Sequence, residues 1–240
     1  ASGESITFTL TDDTAITLEY LQGSDEGNAD DIAVGSVLEV VLDEDNQAVS
    51  VTVRNLNAGG GFGGSGEVTN GTSANTITED TEVDSETYTS TGDDENALRV
   101  DGATVTLKDI TIEKTAGSSS NTEDGDFYGL NAGLLVLNGA TATITGATVN
   151  TSVTNGNGVF SYGEGTVVNI SDSTIRTTEN NSGGIQTTGG GTMNATNLDV
   201  ETQENSAAAI RSDRGGGTVN VDGGSYVTNG TGSPAIYCTA

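Results

Sequence analysis

Ala103-Thr-Val-Thr-Leu-Lys-Asp-Ile-Thr-Ile112 is the stretch that decides the fold, because four later segments repeat its pattern. These segments begin at Ala140, Thr166, Gly191 and Gly217, and successive starts are separated by 37, 26, 25 and 26 residues. A recurring period of this length is the signature of a repeat architecture. Residues 97–240 are therefore predicted to repeat one structural unit.

Each repeated segment alternates aliphatic residues with Thr or Asn. Val105 and Leu107 hold the apolar positions in the first segment, and Val219 and Val221 hold them in the last. Alternation with a period of two predicts a strand with one buried face. A second strand is predicted around the tenth position, and a third lies a few residues before each segment. The aliphatic residues that mark this third strand are Leu98, Leu135, Val159, Ile185, Ile210 and Ile236.

Three short strands in about 25 residues predict one coil of a right-handed parallel β-helix, an all-β solenoid spanning residues 76–240. Coils stack at about 4.8 Å, so aliphatic side chains at equal positions form interior columns. The single interval of 37 residues predicts an inserted loop, for which residues 117–126 are the candidate. Inserted loops in solenoids often carry binding residues.

Residues 1–75 lack the repeat and are predicted to form a β-rich cap or small leading segment. Val37–Leu42 and Ala48–Val53 flank a polar turn and predict a hairpin. The Gly-rich run at 59–66 predicts a flexible joint before the solenoid.

From about Ile77 onward, the sequence resembles the adhesin-like right-handed parallel β-helix surface proteins of gut Firmicutes and related bacteria. The likeness is carried by the coil phrases Tyr128-Gly-Leu-Asn-Ala-Gly-Leu-Leu-Val136, Gly183-Gly-Ile-Gln-Thr-Thr-Gly189 and Ala208-Ala-Ile-Arg-Ser-Asp-Arg-Gly215. It covers roughly two thirds of the chain. The resemblance implies secretion or cell-wall display, with cell-surface adhesion or glycan contact as the role, and it carries over no functional residue.

Charge and cysteine content restrict the partners and the location. The chain has 35 Asp and Glu against 7 Lys and Arg, a formal net charge of −28. Nucleic acid is excluded as a partner, because its binding depends on neutralising phosphates with basic side chains. The longest compact apolar run, Leu134–Leu137, is far shorter than the roughly 18 residues of a membrane span, so no membrane insertion is expected. Cys238 is the only cysteine, and a bacterial extracellular protein, secreted or wall-displayed, is predicted.

The outward face of the third strand carries the candidate ligand-binding residues. If Ile185, Ile210 and Ile236 point inward, Gln186, Arg211 and Tyr237 stack beside one another outside, with Tyr162 one coil below. Polar groups next to an aromatic ring suit a sugar, so the expected partner is a polysaccharide or a host surface glycan or protein. The full candidate set is Tyr162, Gln186, Arg211, Asp213, Arg214 and Tyr237. A salt bridge among Arg211, Asp213 and Arg214 is the structural alternative.

Two acidic stretches are candidate Ca²⁺ sites. Asp93, Asp94 and Glu95 form one, and Asp124 and Asp126 belong to the other. Carboxylates are the hard oxygen ligands that Ca²⁺ prefers, although neither stretch follows the twelve-residue loop of an EF-hand. Solvated loop acids are the alternative interpretation. Zinc is excluded, because the chain has no His and one Cys.

A non-enzymatic scaffold is the expected function, and two alternatives stay open. Polysaccharide lyases and glycoside hydrolases also use the β-helix, and a fold alone does not give a function. The sequence offers no His for a catalytic triad and no obvious acid pair in neighbouring coils at the spacing that glycoside hydrolysis needs. A purely structural stalk is the second alternative.

The closing stretch 234–240 reads as the opening strand of another coil. An open solenoid end exposes unpaired strand edges. We therefore expect either that the natural chain continues or that a partner covers this end.

Overall fold

The structure is a computed structural model and describes residues 7–11, 14–20, 23–29, 32, 37–43, 45–54 and 69–239. The chain divides into two compact units, residues 1–64 and residues 65–240. The Gly-rich run at 59–66, which was predicted to be a flexible joint, lies outside the described residues.

Within its described residues, the first unit contains one four-stranded sheet. Its strands are β1 (Ala15–Tyr20), β2 (Gly23–Glu26), β3 (Val37–Leu42) and β4 (Ala48–Arg54), in the order β2-β1-β4-β3. The antiparallel pair β3 and β4 confirms the predicted hairpin, and β1 runs parallel to β4. Alternate residues of β4, Val51 and Val53, are buried in a small core with Ile16.

The second unit consists of short strands and one described helix. Its elements are β5 (Thr72–Ser73), β6 (Thr76–Ile77), β7 (Thr81–Asp84), β8 (Thr87–Ser90), β9 (Glu95–Asn96), β10 (Leu98–Asp101), β11 (Thr104–Lys108), β12 (Thr111–Lys114), α1 (Thr122–Tyr128), β13 (Leu134–Leu137), β14 (Thr141–Thr145), β15 (Thr148–Thr151), β16 (Val159–Tyr162), β17 (Val167–Ser171), β18 (Thr174–Thr177), β19 (Ile185–Thr188), β20 (Gly191–Thr196), β21 (Asp199–Thr202), β22 (Ile210–Ser212), β23 (Gly217–Asp222), β24 (Ser225–Thr228) and β25 (Ile236–Cys238).

Apart from β5 and β9, which form a separate parallel pair, these strands stack into three parallel sheets, as the repeat predicted. The first sheet has the order β6-β10-β13-β16-β19-β22-β25, the second β7-β11-β14-β17-β20-β23, and the third β8-β12-β15-β18-β21-β24. Each turn of the chain adds one strand to every sheet. The result is a parallel β-solenoid of about 6 turns with roughly 26 residues per turn.

Interior columns of aliphatic side chains hold the coils together. In the second sheet, Val105, Ala142, Val168, Met193 and Val219 stand in register, as the five segments predicted. The members of this column from Val105 to Met193 are buried. Burying a Val or Met side chain contributes about 1.5–3 kcal/mol, so the core is the sum of many modest terms.

The column of the first sheet differs from the prediction at one position. Leu98 is in register with Leu134, which leads on through Val159 and Ile185, so Leu134 and not Leu135 belongs to the interior column. All four residues of β13 are buried, because the outward face of this coil is covered as well. An apolar run without alternation gives no signal for the register.

The corners between sheets use positive backbone torsions and buried hydroxyl groups. Gly190 and Gly216 have φ of 89° and 66° at the Gly-rich corner that the sequence identified. At another corner, Thr177 and Thr202 donate hydrogen bonds to the carbonyl oxygens of residues five positions later. Lys114 occupies the same column and is buried. Burial lowers the pKa of its amine, which donates to the carbonyl oxygen of Gly92 at 2.5 Å.

The extra residues of the 37-residue interval include α1 and are not a loop throughout. The Asn121 Oδ1 atom accepts from the backbone N–H of Glu123 at 2.9 Å, which caps the helix N-terminus. Gly129 ends the helix with φ of 74°, a left-handed conformation that suits glycine. Within the described residues, no helix has the length and apolarity of a membrane span.

Candidate functional site

The outward face of the first sheet brings three of the candidate residues together. Gln186, Arg211 and Tyr237 hold equal positions in β19, β22 and β25. Parallel pairing places their side chains in one row, which confirms the predicted stack. Phe160 occupies the same row one coil before Gln186.

Tyr162 lies in a different row from the one expected. It is in register with Thr188, because Phe160 takes the position opposite Gln186. The Tyr162 ring packs edge-on against Tyr128, with 5.6 Å between the ring centroids. Tyr162 therefore belongs to the contact between α1 and the coils, and the structure does not bring it to Arg211.

Side chains of the outward face anchor α1 to the solenoid. The Gln186 Nε2 group donates to the backbone carbonyl oxygen of Asp126, and the Thr188 hydroxyl donates to that of Phe127 at 2.6 Å. Gly125 permits close approach, because a Cβ atom there would lie 2.4 Å from Cγ of Asn155. Gln186 is thus buried beneath the helix.

Arg211 connects α1 to β22 through two carboxylates. Its Nη2 atom lies 2.7 Å from Oδ2 of Asp213, and its Nη1 atom lies 3.4 Å from Oδ1 of Asp126. Asp126 also accepts hydrogen bonds from Asn155 at 3.0 Å and Asn181 at 3.2 Å. Arg211, Asp126 and Asp213 are each exposed by only 7–8%. The cluster carries two negative charges against one positive charge.

The two carboxylates of this cluster are shifted in opposite directions. Burial raises the pKa of Asp126 above its ordinary value of 3.8, and the neighbouring Arg211 only partly opposes this. Burial also acts to raise the pKa of Asp213, but hydrogen bonds from Thr239, Arg214 and Arg211 outweigh it and hold the pKa below 3.8. Arg211 therefore binds one carboxyl group that ionises readily, Asp213, and one that ionises less readily, Asp126.

Aromatic rings flank the guanidinium groups. The Cζ atom of Arg211 lies 5.5 Å from the ring centroid of Tyr237 and 5.8 Å from that of Phe127. The guanidinium of Arg214 stacks on the Phe127 ring, with its Cζ atom 3.7 Å from the ring centroid. Its Nη2 atom also lies 2.8 Å from Oε2 of Glu123. Cation–π contacts of this kind are strongest where water is excluded. Arg214 therefore secures α1, while Arg211 stands beside the exposed Tyr237.

A cavity of about 240 Å³ opens between α1 and the last coils. Its walls include six residues that offer polar groups or ring surfaces: Asp126, Asn181, Ser206, Arg211, Pro234 and Tyr237. Carboxylate, amide, hydroxyl and guanidinium groups can pair with hydroxyl groups of a ligand, and the Tyr237 ring can cover an apolar face. This cavity is the candidate functional site.

Comparisons with protein-family models, curated proteins and solved structures found no match for the chain. The parallel β-solenoid that the adhesin resemblance implied is present.

The carboxylates of the first acidic stretch are engaged in hydrogen bonds and are not free to act as a set of ligands. Asp93 Oδ1 accepts from the backbone N–H of Ser118 at 2.7 Å, which lowers the pKa of Asp93. Asp94 Oδ1 accepts from the N–H of Ser120 at 2.7 Å. Glu95 accepts from a hydroxyl group of β8. Asp93 and Asp94 therefore hold the start of the insertion against the preceding coil, whereas Glu95 binds within its own coil.

The second pair of candidate Ca²⁺ ligands is separated by its surroundings. Asp126 faces Arg211, whereas burial and the charges of Asp94 and Glu123 raise the pKa of Asp124. Across the residues that the structure describes, no group of three or more His, Cys, Asp and Glu is placed to hold a metal ion. Ca²⁺ binding stays a prediction from composition.

Among the polar and ring-bearing residues of the cavity wall, sequence reasoning missed Asn181, Ser206 and Pro234. They lie at corners, where no alternation distinguishes inward from outward side chains. Asn181 and Ser206 share positive φ values of 56°. Their backbone N–H groups donate to the carbonyl oxygens of Asn205 and Thr231, so the two residues lie at equal corners of successive coils.

Proposed function

We propose that this chain is an extracellular, adhesin-like scaffold that binds a glycan in the cavity beside α1. The observation that carries the proposal is the meeting of Arg211, Asn181 and Asp126 with the exposed Tyr237 ring around one opening. Sugars present hydroxyl groups at their edges and C–H groups on their faces. A polar wall next to an aromatic ring matches both.

The charge of the molecule favours a neutral glycan over an acidic one. The net charge of −28 repels a polyanion at long range. Within the cluster, the one guanidinium that faces the cavity is already paired with two carboxylates. The expected ligand is therefore a neutral oligosaccharide whose hydroxyl groups bind Asp126 and Asn181.

An array of neutral and acidic oligosaccharides, followed by calorimetry with the neutral ones that bind, tests this proposal. Tyr237→Ala and Asn181→Ala should each weaken binding at least about tenfold, which corresponds to about 1.4 kcal/mol. Asn220→Ala, on the outer face of the second sheet, and Val227→Ala, at an exposed residue of β24 in the coil before Tyr237, are the matched controls. Both controls should bind as the wild type does.

Two outcomes would contradict glycan binding at this cavity. Equal losses from Asn181→Ala and Asn220→Ala would place the contact elsewhere. Absence of binding to every glycan, with the fold intact by circular dichroism, would favour the purely structural stalk.

Glycan cleavage is the second candidate, and one observation favours it. Asp126 lies in the cavity wall and Asp213 binds the same guanidinium, and two neighbouring carboxyl groups with opposed pKa shifts are typical of a general acid and its partner. Against it, Arg211 and several amide donors already engage both carboxylates. Release of reducing or unsaturated sugars, abolished by Asp126→Asn, would establish the enzyme, whereas stable bound sugar supports the scaffold.

A further inference from the structure

The cavity beside α1 is closed on the side of the earlier coils. Two rows of side chains run along the solenoid toward it. In the outward row of the first sheet, Phe160 and Gln186 are fully buried, and Arg211, one coil later, is 8% exposed at the cavity wall. In the corner row, Asn155 is fully buried, whereas Ser206, two coils later, is exposed there. Both rows are therefore covered before they reach the cavity and open within it.

The insertion supplies this cover, and side chains of the coils hold α1 in place. The Nδ2 group of Asn157 donates to the carbonyl oxygen of Gly125 at 3.1 Å, and the hydroxyl group of Thr188 donates to that of Phe127 at 2.6 Å. In the next coil, Arg211 pairs with a carboxylate of the same helix at 3.4 Å. Three successive coils thus contact one short helix, and the parallel pairing of their strands fixes their spacing. α1 is therefore a fixed wall of the cavity.

The cavity has the size of a single sugar ring. Its volume of about 240 Å³ lies below the roughly 300–1,000 Å³ of pockets that enclose drug-sized ligands. Asp126 extends from α1 into the cavity wall, where its Oδ2 atom accepts from Asn181 at 3.2 Å. A ring that binds these two side chains leaves no space for a further sugar residue on the side of α1.

We propose that the cavity binds the terminal residue of a neutral glycan chain and not a residue within the chain, an inference that rests on the glycan binding proposed above. An internal residue is linked on both sides, so its chain must leave the cavity in two directions, and α1 blocks one of them. A terminal residue is linked on one side only. Its free hydroxyl groups meet Asp126 and Asn181, and the rest of the chain leads away from α1. The reducing and the non-reducing end of a glycan both meet this requirement.

Saturation-transfer difference NMR with the full chain identifies the bound sugar residue directly. The probes are the neutral linear oligosaccharides that bind on the array, used free in solution. Protons of one terminal residue should receive the strongest transfer, and the transfer should fall along the chain. Reduction of the reducing-end sugar to its open-chain alditol distinguishes the two ends. It should abolish binding through the reducing end and leave binding through the non-reducing end unchanged.

Calorimetry with oligosaccharides of increasing length gives a second measurement. The affinity should change by less than about threefold from the disaccharide upward, because one terminal ring makes the contacts. Asn181→Ala should weaken every one of these ligands at least about tenfold, which assigns the binding to this cavity. Asn220→Ala, on the outer face of the second sheet, is the matched control and should bind as the wild type does.

Two results would overturn the terminal mode of binding and leave the glycan site intact. One is the strongest transfer at an internal sugar residue, and the other is an affinity that rises about tenfold with each added residue, in both cases with binding lost in Asn181→Ala. Absence of binding to every glycan would instead overturn the glycan site itself and the terminal mode with it.

Discussion

Arg211 lies between two aspartates that affect stability in opposite directions. The charged form of Asp126 is disfavoured by burial, whereas hydrogen bonds favour the charged form of Asp213. A shift of either pKa between the folded and unfolded chain makes stability depend on pH. The pair therefore offers a test of the site with two matched substitutions.

We predict that Asp126→Asn leaves the free energy of unfolding at pH 7 unchanged or raises it by up to about 1 kcal/mol, because Arg211 then keeps one carboxylate partner. Asp213→Asn should lower it by about 1.5–3 kcal/mol, the usual loss for hydrogen bonds to a charged group. Urea unfolding at a series of pH values measures both effects. Equal destabilisation by the two variants would contradict the assigned pKa directions.

The pH dependence of the two variants differs in sign. The cost of charged Asp126 is complete above its raised folded pKa and disappears as the pH falls below the unfolded value of 3.8. The stability from Asp213 is present above 3.8 and is lost as the pH falls through its lowered folded pKa. The difference between the wild type and each variant should therefore vanish at acid pH.

The sequence predicted some of the contacts around Arg211 and not others. Arg211 and Tyr237 could be found because both stand in the repeat, where one register fixes their neighbours. Asp126 was predicted only as a candidate Ca²⁺ ligand in the insertion. Its contact with Arg211 depends on how α1 folds back over the coils, and a segment outside the repeat carries no periodic signal of its position.

At the scale of elements, the second sheet carries a ladder of asparagine side chains on its outer face. Asn194 donates to Oδ1 of Asn169 at 2.8 Å and accepts from Nδ2 of Asn220 at 2.8 Å. Each amide thus links neighbouring coils in parallel with the backbone ladder. The middle member makes two of these bonds and the last member makes one.

We predict that Asn194→Ala lowers the free energy of unfolding about twice as much as Asn220→Ala. A net contribution of about 0.5–1.5 kcal/mol per hydrogen bond gives about 1–3 kcal/mol for the middle residue. Chemical denaturation of both variants and of the Asn169→Ala, Asn194→Ala double variant measures the coupling. Equal losses at the two positions would show that the ladder bonds contribute nothing beyond the strand itself.

Strands with one buried face were predictable, and strands with two buried faces were not. The alternation from Val105 to Leu107 fixed the register of the second sheet correctly. Both faces of β13 are buried, so its four residues are all apolar and do not alternate with polar ones. Leu135 was therefore assigned to the wrong face. The helix of the insertion was equally hidden, because a seven-residue element with Gly125 in its middle has weak intrinsic helix propensity.

For the whole molecule, the repeat explains why the architecture of the solenoid could be predicted from a few matched segments. Each coil contacts the coils before and after it, so one correct register places every later coil. Across the whole molecule, 35 acids against 7 basic residues give a net charge of −28.

This charge leads to a prediction that separates ionic screening from a calcium site. Salt should stabilise the chain by screening repulsion among its acids, with the largest rise in melting temperature between about 10 mM and about 150 mM ionic strength. CaCl₂ and MgCl₂ at equal concentration should raise the melting temperature equally, because Asp93 and Asp94 already accept backbone hydrogen bonds. A saturable rise with Ca²⁺ alone, removed by Asp93→Asn and kept in the exposed control Asp222→Asn, would instead place a calcium site at the start of the insertion.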